Sequence, residues 1–512
     1  MSLKQALLAT VFTFGLTAQG HAADVTAEQA KAVADQLRGF LTGILTDRVK
    51  IPADLMTVTP AGPAYSIVVQ SPQGPIARAD EAGKPTTAWL TATVRPEDGT
   101  RWRIDNLMFP SSYRLSPDGA AALAALMPSA PTGAGPKPAS MEWRVRTQWA
   151  SGMFDTAQAS DSRLDFKMEG INYESRNFGA GVDSHTTVEK VEGRYTIHPT
   201  GSGSVDYRAE ATMDGYTAVS SNPAMGNVTF KMRHATVRAE TGAVMNAQVA
   251  DLIRTMIVLG LDANAADAKG PNAKADMDKA DMDKAGRAAL RSMIGMLKGI
   301  MTGLKLDETF EGVDVKAGPG SATADRVVVS LGGAAPAETL KAFMEINIGG
   351  LKVVGLPPDM ADFVPRTVVV RPTISNIDVK ALTRLATDAA ADGADPDMAT
   401  AQLMALFTGG GVKVGFEHLD ADLGYASMTG TGEATIVGPN AVQGTADIVV
   451  KGFDALLVHA AKLPNPAQSM AMLALAKGFG KTDGDRTVWH IAISPDNKIL
   501  VNGVDVTGGG KR

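Results

Sequence analysis

The chain has 512 residues, no cysteine and a formal net charge of −6 at pH 7. The lack of cysteine excludes disulfides, thiol catalysis, Cys-ligated zinc and iron–sulfur clusters. The mild acidity, without a long block of like charges, predicts that nucleic acid is not a partner. Because 45% of the residues are hydrophobic, only 5% are aromatic and 24 are Met, we expect an aliphatic, Met-rich core.

Residues 1–22 have the pattern of a cleavable signal peptide. Lys4 precedes an apolar run over residues 6–16, and the small residues Gly20 and Ala22 precede an expected cut after Ala22. The run is shorter than the roughly 20 residues that a membrane-spanning helix needs. The sequence therefore predicts export to the periplasm, with at most peripheral contact with a membrane.

The expected mature chain starts with a helix and continues with strands. Thr26 and Gln29 have the spacing of a capping box, and apolar residues from Val33 onward recur on one helical face. The period then changes to two over residues 65–69, 87–94 and 101–105, which predicts strands. Residues 119–127 resemble a short helix, and the Pro-, Gly- and Ser-rich residues 128–140 a linker.

Residues 141–238 alternate most clearly between apolar and charged side chains. Trp143, Val145, Thr147 and Trp149 are predicted to share one face, with charged and polar residues between them. This pattern is typical of antiparallel sheet with one dry and one wet face. Amphipathic segments at 249–257 and 287–305 are the expected covers of the dry face.

Between those two segments lies a tandem repeat of Ala-Asp-Met-Asp-Lys over residues 275–284. Its acidic spacing does not match a calcium-binding EF-hand, because Asp281 and Arg287 stand where that loop needs Gly and Glu. We therefore predict a solvated linker at 262–285, which divides the chain into a signal peptide (1–22), an N-terminal β-rich half (23–261) and a C-terminal β-rich half with capping helices (286–512).

The C-terminal half repeats this alternation of long strands and a few helices. Helices are predicted at 378–388, 397–407, 453–463 and 468–478, with strands from 312 onward. The fold class predicted is α+β and β-rich, with long curved antiparallel sheets and amphipathic helices on the dry face, and similarity between the two halves is a further hypothesis.

No catalytic, cofactor-binding or metal-binding motif is found in the sequence. His418, Asp420 and Asp422 alternate along one strand face, but a closed metal site needs a further ligand, so a solvated strand face is the preferred interpretation. The remaining histidines lack nucleophile or metalloprotease spacing. We predict no cofactor and no metal, and a non-enzymatic protein.

The segment 287–305 allows two interpretations. Gly295, Gly299 and Gly303 recur every four residues and permit close backbone approach, while Arg291 and Lys298 argue against a membrane span. The segment is either a helix packed tightly on a sheet, or a cationic amphipathic helix that touches a membrane surface or an acyl chain.

Two C-terminal patterns carry a family resemblance. They are Leu356-Pro357-Pro358 followed by Val364-Pro365-Arg366, and the closing Ile499-Leu500-Val501-Asn502-Gly503. The chain resembles an exported alphaproteobacterial family known as a domain of unknown function, number twenty-one twenty-five. More distantly, it is similar to the AsmA-like envelope proteins, whose curved sheets form apolar grooves implicated in lipid movement. The resemblance implies a periplasmic, β-rich architecture and supplies no functional residues.

The leading functional hypothesis is a periplasmic protein that binds or carries a lipid or another hydrophobic envelope molecule. Such binding needs an apolar lining rather than catalytic residues. An envelope scaffold that binds protein partners is the alternative, and a hydrolase with a dispersed site is the third. The predicted lining residues are Phe166, Met168, Phe230, Met232, Leu297, Ile300, Met301 and Leu304.

Overall fold

A computed structural model gives the fold of the chain. It describes residues 24–45, 56–70, 76–79, 88–98, 101–115, 140–155, 162–178, 182–200, 204–222, 226–245, 303–335, 338–389, 401–402, 405–406, 411–438, 441–463, 465–496 and 498–507. The predicted signal peptide, the 262–285 linker and the helices at 119–127 and 249–257 lie outside these residues.

The described structure consists mainly of long strands. The helices are α1 Ala27–Leu45, α2 Pro358–Ala361, α3 Val379–Ala389, α4 Phe453–Ala460 and α5 Pro466–Phe479. The strands are β1 Met56–Ala61, β2 Ala64–Gln70, β3 Ile76–Ala79, β4 Ala88–Asp98, β5 Arg101–Met108, β6 Ser112–Leu115, β7 Ser140–Asp155, β8 Ser162–Phe178, β9 Val182–Pro199, β10 Ser204–Asn222, β11 Gly226–Met245, β12 Leu304–Ala317, β13 Gly320–Ala334, β14 Thr339–Gly349, β15 Lys352–Val354, β16 Thr367–Asp378, β17 Lys413–Asp422, β18 Ser427–Gly438, β19 Ala441–Lys451, β20 Lys481–Asp483, β21 Arg486–Ile493, β22 Ile499–Val501 and β23 Val504–Asp505.

The chain forms two compact units. Residues 230–235 of β11 belong to the second unit together with the chain from residue 300, and the rest belongs to the first. Among the described helices, none combines the length and apolar character that a membrane span requires.

The first unit is an antiparallel sheet with α1 at one end. Its strands pair in the order β1, β2, β4, β5, β7, β8, β9 and β10. Leu37 of α1 is buried with Ile67, Trp102 and Phe154, which form the main core of this unit. Trp102 lies between two aromatic rings, 5.6 Å from Tyr65 and 6.4 Å from Phe154 between ring centroids.

The start of α1 matches the predicted capping box. The Gln29 backbone N–H donates to Oγ1 of Thr26 at 3.2 Å, and the Thr26 N–H donates to Oε1 of Gln29 at 2.9 Å. Two N–H groups at the helix start, which lack partners within the helix, are thereby satisfied.

The second unit is an antiparallel meander. Its strands pair in the order β12, β13, β14, β16, β17, β18, β19, β21, β22 and β23. Two buried clusters lie where helices meet this sheet. Val379 of α3 packs with Leu340, Ile377 and Val412, and Phe453 of α4 packs with Val450 and Trp489.

A row of left-handed glycines crosses each unit at one level. In the first unit Gly170 of β8 and Gly215 of β10 have φ of 62° and 64°. Their neighbours across the strands are Arg146 and Glu189, whose side chains occupy the space that a Cβ on the glycine would need. Glycine is therefore required at both positions, for its backbone conformation and for its lack of a side chain.

The second unit contains the same arrangement. Gly312 of β12, Gly350 after β14 and Gly424 after β17 have φ of 63°, 69° and 85°. The side chains of Arg233, Asp325 and Arg366 cover these glycines in turn. In each unit, strands with a left-handed glycine thus alternate with strands that bear a charged residue, and successive charges have opposite sign.

At the level of this row, the burial of the β7 side chains differs from the prediction. Val145 and Ala150 are both buried although they lie five positions apart, an odd spacing, while Trp149 is 47% exposed. The prediction that Val145 and Trp149 share a dry face is wrong, because the apolar pattern shifts by one residue at Arg146, beside Gly170. The pairing of β7 with β8 stays in register through this level, so the shift occurs on both strands together.

The β-rich antiparallel part of the predicted fold is confirmed. The structure has few helices, and a general cover of the dry face by helices is not confirmed, nor is similarity between the two halves. The end of the predicted 287–305 helix is also wrong. Leu304 begins β12 and pairs with Gly333, because Leu304, Leu306 and later residues follow the period of a strand.

Candidate functional site

Aligned apolar rows cross the sheet of the second unit from β12 to β17. The cross-strand register joins Phe310, Val327, Ile348, Val368 and Ala421 into one row. A neighbouring row joins Val329, Ile346, Val370 and Leu419. These two rows are called the apolar strip below. The strip arises because β-branched and other apolar residues occupy every second position of adjacent strands.

The apolar strip lies outside the buried clusters of the described structure. Its residues are only partly buried, and they belong neither to the cluster around Val379 nor to the cluster around Phe453. Met344, beside the strip and opposite Leu331, is 39% exposed. At about 4.8 Å between strands, a row across five strands is roughly 19 Å long.

The predicted lining residues belong partly to each unit and partly to the residues that the structure does not describe. Phe166 and Met168 lie on β8 in the first unit, where Phe166 packs against the core around Trp102. Phe230 and Met232 lie on the part of β11 that belongs to the second unit, and Met232 is 6% exposed. Leu304 begins β12. The other predicted residues, Leu297, Ile300 and Met301, lie outside the described residues.

Sequence reasoning missed a cavity of about 340 Å³ in the second unit, open to solvent and called the polar trough below. Five strands contribute to it: β14, β16, β17, β18 and β19. Its polar lining consists of Lys341, Thr373, Ser375, Glu417, Thr431, Glu433, Thr445 and Asp447. Their alternation with apolar neighbours is visible in the sequence, but more than a hundred residues separate Lys341 from Asp447.

Each carboxylate of the polar trough has a basic partner. Lys341 lies 2.5 Å from Glu417, and Lys413 lies 2.7 Å from Glu433. Nδ1 of His490 lies 2.8 Å from Asp447. The hydrogen bond from Lys341 holds the pKa of Glu417 below its usual value, so this carboxylate is ionised at neutral pH.

A bulge and an aromatic contact shape one side of the polar trough. The register of β17 against β18 shifts between Phe416 and Leu419, which places Glu417 beside Arg371 at 3.1 Å. The Arg371 guanidinium in turn lies 4.1 Å from the ring centroid of Phe343. Bulges commonly redirect side chains at functional sites.

His418 is exposed, Asp420 and Asp422 are partly buried, and the three do not form a closed site. Nε2 of His418 lies 4.0 Å from Asp420, and Oδ1 of Asp422 accepts a hydrogen bond from the Gly424 backbone. Within the part of the chain that the structure describes, no group of three or more His, Asp or Glu residues could hold a metal ion.

A second histidine contact joins the α2 loop to α4. Nδ1 of His459 lies 2.7 Å from Asp362, and the Tyr425 ring stacks on the imidazole with centroids 3.8 Å apart. Partial burial and, to a smaller extent, the charge of Asp362 raise the pKa of Tyr425. This cluster fastens the segment after β15 to the helix, and it has no adjacent nucleophile among the contacts described.

Comparison with known proteins identifies no relative. No protein-family model matches the chain, and no curated protein or solved structure is significantly similar to it. The resemblance to the exported family therefore stays a prediction.

Proposed function

We propose that this protein binds and carries a lipid or another hydrophobic molecule of the cell envelope. The observation that carries the proposal is the apolar strip, which is aligned across five strands and lies outside the buried clusters of the described residues. A strip about 19 Å long has the dimensions of an extended fatty acyl chain. Burial of an acyl chain there would remove apolar surface from water, which is favourable in proportion to the area buried.

Curvature of the sheets is part of this proposal. A left-handed glycine within a strand bends the strand and increases its local twist. Since the glycines of each unit stand at one level, the bends would add across neighbouring strands rather than cancel. A bent sheet would enclose an acyl chain along its concave face.

The predicted export supports the same function. A periplasmic protein released from its signal peptide could diffuse between two membranes, as a carrier must. The resemblance to AsmA-like envelope proteins agrees with this proposal, although likeness of fold alone does not establish function.

The α5 surface favours a scaffold as the second candidate function. Met472 and Leu475 of α5 are 66% and 63% exposed, and Val458 of α4 is 63% exposed. Large apolar side chains exposed on neighbouring helices are typical of protein interaction surfaces. In a scaffold, protein partners would cover these helices, and the apolar strip would hold no ligand.

Paired substitutions on adjacent residues distinguish the two candidate functions. Val329→Thr with Val370→Thr places hydroxyls on the apolar strip, whereas Val328→Thr with Val369→Thr places them on the opposite face of the same strands. Valine and threonine are nearly equal in volume and both favour strands. The comparison therefore isolates polarity on one face.

The readouts are native mass spectrometry of gently extracted protein and titration with a long-chain fluorescent fatty acid. We expect co-purified lipid in the wild type, weaker fatty-acid binding in the strip variant, and wild-type binding in the opposite-face variant. Absence of lipid together with equal fatty-acid affinities in all three proteins would refute the carrier proposal.

A further inference from the structure

We infer that the polar trough is a binding site for a neutral, polyhydroxylated ligand, that is, a saccharide of one or two rings or a saccharide headgroup. This inference concerns a different surface from the apolar strip and does not depend on lipid carriage. On β14 and β16, Lys341 and Thr373 are separated by an odd number of positions from Ile346 and Val370, so the trough and the strip occupy opposite faces of these strands.

The charges of the polar trough indicate a ligand without net charge. Lys341 and Lys413 pair with Glu417 and Glu433 at 2.5 and 2.7 Å, and Nδ1 of His490 lies 2.8 Å from Oδ1 of Asp447. A phosphate would therefore have to displace a glutamate from its lysine, and a polyamine would compete with the existing contacts of all three carboxylates. Displacement of a paired side chain by a charged ligand would also break an existing hydrogen bond.

The hydroxyls of the polar trough are available to a ligand. Thr373 and Ser375 on β16, Thr431 on β18 and Thr445 on β19 line the cavity. Thr431 and Thr445 are exposed, and within the described structure none of the four hydroxyls has a hydrogen-bond partner. A hydroxyl both donates and accepts, so this lining matches ligands whose own hydroxyls do the same.

The volume of the polar trough and the carboxylates in its lining agree with a saccharide ligand. A cavity of about 340 Å³ lies at the small end of the range for small-molecule sites. Carboxylates accept hydrogen bonds from saccharide hydroxyls, while Lys341 donates to their oxygens. An acyl chain does not fit this lining, because it would remove water from the polar groups without replacing their hydrogen bonds.

The test uses the full-length protein with three soluble probes: maltose (neutral), glucose 6-phosphate (anionic) and spermidine (cationic). Saturation-transfer NMR and calorimetry measure binding. We expect maltose to bind and the two charged probes to bind more weakly. Absence of maltose binding, or stronger binding of either charged probe, would overturn the inference.

Threonine-to-valine substitutions then locate the binding. Thr431→Val with Thr445→Val removes two hydroxyls without changing side-chain volume, and we expect about a tenfold loss of maltose affinity. Thr429→Val is the matched control, since Thr429 precedes Thr431 by two residues on β18 and does not line the cavity. Thermal unfolding verifies that each variant is folded. Equal maltose affinity in the double variant and the control would refute the site.

Dodecyl maltoside distinguishes a lipid headgroup from a free saccharide. If the physiological ligand is a headgroup, the detergent should bind more tightly than maltose and should lose affinity in the Thr431 and Thr445 variant. A tight association that this variant leaves unchanged, but that Val329→Thr with Val370→Thr abolishes, would exclude headgroup recognition by the trough. It would leave the carrier proposal intact.

Discussion

The side chain of Asp325 on β13 covers Gly350, the residue that follows β14 and has φ of 69°. The carboxylate occupies the position that a Cβ on Gly350 would take. Any larger residue at position 350 would therefore displace the Asp325 side chain. The same relationship joins Arg233 to Gly312, where an added Cβ would lie 3.0 Å from Cβ of the arginine.

Substitution Gly350→Ala should destabilise the second unit. The left-handed conformation alone costs an L-residue about 1–2 kcal/mol, and displacement of Asp325 adds to this. Gly349→Ala is the control, because Gly349 lacks a positive φ and an added Cβ would lie 3.9 Å from the nearest atom. Urea unfolding should give a much lower midpoint for Gly350→Ala than for Gly349→Ala, and equal midpoints would contradict this account of the row.

Substitution Phe343→Ala should expose a glycine on the neighbouring strand. The ring of Phe343 lies over Gly332 directly across the β13–β14 pair and also under the Arg371 guanidinium. Its loss should lower the free energy of unfolding by about 2 kcal/mol, since the ring is only partly buried. Met344→Ala, at an exposed position on the opposite face, should cost less. A larger effect at Met344 would show that this aromatic cover contributes little.

The first unit should lose stability at high pH. Burial raises the pKa of Tyr207 to about 12, and raises the pKa of the neighbouring Tyr195 as well. Because an unfolded tyrosine ionises near pH 10, the contribution of these tyrosines to the free energy of unfolding should be constant below about pH 10 and fall as the pH rises towards 12. Tyr207→Phe should reduce this fall. Phenolate absorbance gives the titration directly, with the urea-unfolded chain as reference, and identical titration of both states would rule the effect out.

Substitution Thr26→Ala should weaken the start of α1. It removes the hydroxyl that accepts from Gln29, at an expected cost of about 1 kcal/mol. Because Leu37 of α1 is buried with Trp102, the loss should appear in near-ultraviolet circular dichroism of the first unit on heating. Lys31→Ala, at an exposed position of the same helix, is the control and should leave the transition unchanged.

The features that the sequence predicts correctly are local ones. The capping box of α1 needs only Thr26 and Gln29, and the strands around Ile67 and Ile104 need only alternation over a few residues. The shift at Arg146 could not be predicted in this way. It occurs beside Gly170 on the next strand, and a glycine within a strand pattern has several possible roles.

The polar trough was missed for a related reason. Lys341, Thr373 and Thr445 are each ordinary residues of a solvated strand face, and no motif connects them. Only the order of the strands and the bulge at Glu417 bring them to one cavity. Prediction of the trough would have required the full register of β14 to β19.

The glycine rows restrict how the number of strands in such a sheet can change in evolution. One strand of each neighbouring pair carries the left-handed glycine and the other carries the charged residue that covers it, as in Gly170 on β8 with Arg146 on β7. Gain or loss of a single strand would place two glycine-bearing strands, or two strands with covering charged residues, next to each other. The hairpin is therefore the unit by which a sheet of this kind can lengthen or shorten in evolution while glycine strands and charged strands still alternate, and a copy of two hairpins would also preserve the alternation of charge sign.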